Sequence, residues 1–117
     1  MVLLACGLGV WAGWQHLNAM PQIMAFTGYE HVCMGYRSCA TFQWETHRAA
    51  AVTLEIGYVE GEIFIPGASR FEDLPSSDSL TYNIYINNFV ARLCVRGTNG
   101  PTTCAICNPF TPELCGH

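Results

Sequence analysis

"SLTYNIYINNFVARLCVRG" (residues 79–97) reads as two strands around a turn. Leu80, Tyr82, Ile84 and Ile86 recur at every second position, and so do Phe89, Ala91, Leu93 and Val95, the period of a half-buried strand. A two-residue turn at Asn87-Asn88 pairs Ile86 with Phe89, Ile84 with Ala91, Tyr82 with Leu93 and Leu80 with Val95. The opposite face then pairs Asn83 with Arg92 and Thr81 with Cys94, and is mostly polar. Asparagine tolerates the positive φ of such a turn, and one register that satisfies four apolar pairs predicts a β-hairpin.

Upstream, "VTLEIGYVEGEIFI" (52–65) places Val52, Leu54, Ile56 and Tyr58 on one face. A turn at Glu60-Gly61 would pair Tyr58 with Ile63 and Ile56 with Ile65, with Pro66 and Gly67 ending the second strand. The polar stretch 68–79 follows as a loop rich in turn formers. Downstream of Gly97, Pro101, Pro109 and Pro112 forbid a long helix, so an irregular tail is expected.

The first 29 residues contain no Asp, Glu, Lys or Arg. Residues 1–14 are strictly apolar but cover only about 21 Å as a helix, short of the roughly 20 residues that a bilayer core needs. No basic n-region marks a secretory signal. Gly9 and Gly13 form a GxxxG step, and Trp11 and Trp14 lie one helical turn apart. Residues 2–20 are therefore read as a helix docked against protein or membrane, and 1–26 as an apolar anchor segment.

The chain has 117 residues, the size of one domain, and it shows neither an internal repeat nor a linker. Half the residues are hydrophobic and 12% are charged, which excludes a disordered chain. Net charge is −4, and the five basic residues are all arginines (Arg37, Arg48, Arg70, Arg92 and Arg96), so a phosphate-tracking nucleic-acid surface is not expected. The sparse charge suggests that part of the surface is covered by something other than water.

Seven cysteines in so short a chain point to an oxidising compartment. No Asn-x-Ser/Thr sequon occurs to support secretion independently. Cys6 lies in the apolar segment and reads as a buried free thiol, or as an acylation site if it faces a membrane. Cys33, Cys39, Cys94, Cys104, Cys107 and Cys115 are the disulfide candidates, with fifteen possible pairings that spacing does not resolve. The alternative is zinc: Cys104-x2-Cys107-x7-Cys115-x-His117 offers four ligands that could sit tetrahedrally around a metal. "CAIC" and "LCGH" resemble pieces of a RING finger over these 14 residues only. The longer loop and further ligand pairs of that family are missing here, so neither its cross-braced fold nor its ubiquitin-ligase function is carried over. A redox reading of Cys104-x2-Cys107 lacks the surrounding βαβ pattern.

His31, Cys33, Glu45 and His47 cluster in sequence but carry no family signature of a cysteine nucleophile, and Asp73 and Asp78 lie in the polar loop without a partner pattern. No phosphate loop, dinucleotide fingerprint or metalloprotease motif is present. The aromatics Trp11, Trp14, Phe26, Tyr29, Tyr36, Phe42 and Trp44 crowd the first 44 residues, where core packing explains them most simply.

The fold expected is mainly β (α+β): a short N-terminal helix, then a disulfide-stapled antiparallel domain over 27–117 with a Cys-rich tail. The function expected is a non-enzymatic structural or interaction subunit without a cofactor. It would be extracellular or membrane-anchored, docking through residues 1–26 into a protein partner, a copy of itself or a membrane. A viral envelope accessory chain, a surface-filament subunit or a secreted effector would each suit that description. The alternatives are an intracellular zinc-binding adaptor and a small secreted hydrolase.

Overall fold

Strands β1 (Gln22–Val32) and β2 (Ser38–His47) pair antiparallel, and β2 in turn pairs with β5 (Ser77–Asn83) to complete a three-stranded sheet. A second sheet runs in the order β4 (Ile63–Phe71), β3 (Ala51–Glu60), β6 (Val90–Arg96), β7 (Thr102–Cys107), antiparallel throughout. The computed structural model describes residues 20–33, 35, 37–84, 89–98, 100–111 and 115. The N-terminal helix read over 2–20, the GxxxG step, Cys6 and the Asn87-Asn88 turn lie outside them, apart from Met20. The anchor boundary drawn at residue 26 falls inside β1, whose first five residues belong to the sheet. Among the described residues, no helix is long and apolar enough to cross a membrane.

The sheets close on a single core. Phe26, Ala40, Phe42 and Trp44 from the first meet Val52, Leu54, Ile56, Ala91, Leu93 and Val95 from the second, all buried. Aromatic rings link the layers: Phe42 touches Phe89 at 6.4 Å between centroids, Tyr82 touches Phe89 at 5.5 Å, and Phe71 on β4 meets Tyr82 on β5 at 6.4 Å. Edge-to-face contacts of this kind add about 0.5–1.5 kcal/mol each beyond area burial. Seven antiparallel strands in two facing sheets is the layout shared by immunoglobulin-like sandwiches, an architecture that hosts many unrelated functions.

The hairpin expected over 79–97 is not formed. β5 belongs to the first sheet and β6 to the second, so Tyr82 and Leu93 join one core from different sheets instead of pairing along a ladder. The alternation is as read; the pairing is not. The expected β3–β4 hairpin does form, with its turn one residue later at Gly61-Glu62. Tyr58 therefore pairs with Ile65 instead of Ile63. Gly61 has φ 66° and stands at the first central position, where a type II′ loop requires glycine. Nor do Pro66 and Gly67 end β4, which runs on to Phe71 through a bulge opposite Glu55–Gly57. Proline is tolerated there because β4 is an edge strand. The strands approach so closely at the bulge that a Cβ on Gly57 would collide with the Ile65 carbonyl.

The two crossovers that run from strand to strand between the sheets through described residues contain the two non-glycine residues with positive φ among those described: Arg48 (φ 60°) between β2 and β3, and Asp73 (φ 56°) between β4 and β5. The second crossover is pinned by hydrogen bonds from Trp44 Nε1 to the Pro75 carbonyl (2.9 Å) and from Thr46 Oγ1 to the Ser76 carbonyl (2.6 Å).

Candidate interaction face

The six disulfide candidates form three bridges: Cys33–Cys39, Cys94–Cys104 and Cys107–Cys115. Cys33–Cys39 ties the connection between β1 and β2. Cys94 and Cys104 are direct cross-strand partners on β6 and β7. Cys107–Cys115 draws the tail under the core, where Pro109 is fully buried and the Phe110 ring meets Phe89 at 5.4 Å. Asn108 shapes that return, its Oδ1 accepting the Phe110 N–H at 2.9 Å.

These pairings place the zinc candidates Cys104 and Cys107 in different bridges. Cys104 and Cys107 are three residues apart on one strand and so point to opposite faces. Cys104 is exposed on the outer face and bonded to Cys94, whereas Cys107 is in the core and bonded to Cys115. His117 lies outside the described residues. No cluster of three or more potential metal ligands occurs among the described residues.

The sequence cluster His31, Cys33, Glu45, His47 is likewise dispersed. His31 pairs with Cys39 at one end of the sheet and Gln22 with His47 at the other, eight residues along β2, which is roughly 27 Å. His31 Nε2 lies 2.6 Å from Thr41 Oγ1, itself 2.9 Å from Thr81 Oγ1, in a polar chain across the outer face of the three-stranded sheet. Asp73 sits in the crossover, and Asp78 Oδ1 accepts the Ser79 N–H.

The outer face of the four-stranded sheet is different in kind. The register places Arg70, Glu55, Arg92 and Ile106 in one row across all four strands. Arg92 Nη2 donates to Glu55 Oε1 at 2.7 Å and Arg70 Nη1 reaches Oε2 at 3.4 Å, while Arg70 Nε also holds Glu72 at 2.7 Å. The Glu55 side chain is only 7% exposed. The Arg92 guanidinium carbon lies 4.5 Å from the centre of the Phe64 ring, a cation–π contact.

Beside this row, Val59, Phe64, Val90 and Ile106, together with Arg92, Glu62 and Asn108, line a shallow depression of mixed polarity. At Gly57, between Pro66 and Val90, the Phe64 ring and the β4 backbone fill the space a side chain would take. On the other side of the row, Thr53, Glu55, Arg70, Arg92 and Arg96 line a polar groove of about 440 Å³. Val59 and Ile106 remain exposed, as do Tyr58 and Ile63 on the other side of the β3–β4 hairpin.

This face went unread in the sequence. Its one available signal is the alternation that buries Leu54 and Leu93, since the same alternation turns Glu55, Arg92 and Ile106 outward together. Comparison of the chain with protein-family models, with curated proteins and with solved structures returns no match.

Proposed function

We propose that this chain is a non-enzymatic extracellular interaction module, and that the outer face of its four-stranded sheet is its contact surface for a protein partner. The observation that carries this reading is the combination on one face of exposed Val59 and Ile106 and half-buried Phe64 with a partly desolvated Arg–Glu–Arg row. Protein interfaces have this composition, with an apolar centre, a polar rim and arginine enrichment. The outer face of the other sheet presents Thr27, Gln43, Ser79 and Thr81, with Tyr29 the one large exposed ring among them, a more polar surface. Three disulfides are consistent with an oxidising compartment. The apolar segment that precedes β1 offers a second contact, to membrane or protein, which this reading does not require.

The test compares capture of cell-surface and secreted proteins from the native source by three forms of the oxidised chain. These are the wild type, Val59→Glu/Ile106→Glu, and Thr27→Glu/Gln43→Glu on the opposite face. Binding retained by the wild type and the opposite-face variant but lost by Val59→Glu/Ile106→Glu is expected. Capture indifferent to both pairs of substitutions would overturn the assignment.

A further inference from the structure

We propose that Cys94–Cys104 is a thiol–disulfide exchange site, opened by an external dithiol in the folded protein while Cys33–Cys39 and Cys107–Cys115 stay closed. The inference concerns the bridge itself and holds whether or not the surrounding face binds a partner.

Accessibility separates the three bridges. Cys107 and Cys115 are 0% and 5% exposed, and Cys39 is 1% exposed, so each of those bridges has a half inside the protein body. Cys94 is half-buried and Cys104 exposed, on the outer face, and each lines one of the two depressions there. Among the described bridged cysteines, Cys104 alone is exposed.

The direction of approach is equally specific. Exchange proceeds by attack of a thiolate on one sulfur with the other leaving, the three sulfurs in line. β7 is the edge strand and β6 its inner neighbour. Cys104 Sγ, on the exposed residue of the pair, is therefore the sulfur an incoming thiolate reaches, and Cys94, half-buried on the inner strand, departs. Arg92 and Arg96 stand two residues either side of Cys94 on the same face, and cationic neighbours favour a departing thiolate. The dithiol's first sulfur bonds to Cys104 as the Cys94–Cys104 bond breaks, and Cys94 takes up a proton. The second thiol, deprotonated, then attacks the mixed disulfide and Cys104 leaves as thiolate. Two electrons pass to the protein and the dithiol is oxidised to its own disulfide.

Opening this bridge releases little structure. Its ends are ten residues apart and are also held by the β6–β7 ladder and by the Gly97 N–H donating to the Pro101 carbonyl at 2.9 Å. The reduced cysteines stay opposite each other, so the site can close again.

Native protein would be titrated with dithiothreitol without denaturant, quenched by alkylation and mapped by peptide mass spectrometry, with circular dichroism followed in parallel. Cys94 and Cys104 are expected to be alkylated at dithiol concentrations roughly tenfold below those that open the other bridges, with the β-signal unchanged. First or simultaneous opening of Cys33–Cys39 would overturn the proposal, as would opening of all bridges only on unfolding. Cys94→Ser/Cys104→Ser should yield no alkylatable bridge cysteine over the same low range; if a bridge still opens there, the labile one is another and the assignment falls.

Discussion

Arg92 on β6 and Glu55 on β3 are direct cross-strand partners, joined at 2.7 Å, with Arg70 reaching the other oxygen of the same carboxylate from β4. Cross-strand opposite charges stabilise a sheet modestly when exposed. Here the carboxylate is nearly buried, and the larger effect is the cost of stranding it.

The two arginines should therefore behave unequally. Arg92→Ala leaves Glu55 with one longer contact and strips the cation from the Phe64 ring, at about 2–4 kcal/mol. Arg70 is 55% exposed and shares its charge with Glu72, so Arg70→Ala should cost under about 1 kcal/mol. Urea unfolding of the two variants measures the difference, and equal losses would show that the row is not held by its Arg92 contact.

A second prediction concerns the seam between the sheets. Gly28 on β1 stands opposite Phe42, and a Cβ built there would lie 2.7 Å from both the Cys107 sulfur and a Phe42 ring carbon. Gly28→Ala should destabilise the fold by about 1–3 kcal/mol, because a ring and a bridged sulfur must both yield. Thr27→Ala, exposed next door, should stay within about 0.5 kcal/mol. Thermal melts of the pair decide it; an unperturbed Gly28→Ala would mean that β1 packs further from the core.

What was legible in the sequence follows from what alternation encodes. It tells which side chains of a strand face the core, and Leu80, Tyr82, Ala91, Leu93 and Val95 do so. It does not say whether two apolar faces meet along one ladder or across a sandwich, because both arrangements satisfy the same pattern. That is why 79–97 read as a hairpin and is instead a sheet-to-sheet crossing. The ionic row was harder still to read. Arg70 comes level with Glu55 only because the bulge at Gly57 and Gly67 shifts the β3–β4 register, and bulges leave no period of their own. The six cysteines were identifiable by density, but their partners depended on the same unseen strand order.

The backbone at Arg48 gives a third prediction, with the opposite sign. This residue holds φ 60° in an exposed crossover, a conformation that costs an L-residue roughly 1 kcal/mol. Arg48→Gly relieves it and loses part of the gain to unfolded-chain entropy, so a net stabilisation of about 0.5 kcal/mol is expected. A lower melting temperature for Arg48→Gly would mean that the arginine side chain contributes more than its backbone costs.

The tail bridge supplies the last prediction, because chain entropy and packing disagree about it. Cys107–Cys115 and Cys94–Cys104 span eight and ten residues, so loop-closure entropy alone separates them by only about 0.2 kcal/mol. Their surroundings differ far more. Cys107 and Cys115 are buried, and their bond holds Pro109 and Phe110 against the underside of the core, whereas Cys94–Cys104 lies across an already hydrogen-bonded hairpin. Cys107→Ser/Cys115→Ser should therefore lose at least about 1 kcal/mol more in urea unfolding than Cys94→Ser/Cys104→Ser, since it uncovers apolar surface as well as lengthening the unfolded chain. The same samples test the zinc alternative. A metal held by the tail cysteines would make the wild type sensitive to a chelator such as EDTA, whereas a chain held by disulfides loses stability to reductant and not to chelator. Equal losses for the two double variants would mean that the tail closes a loop without sealing the core.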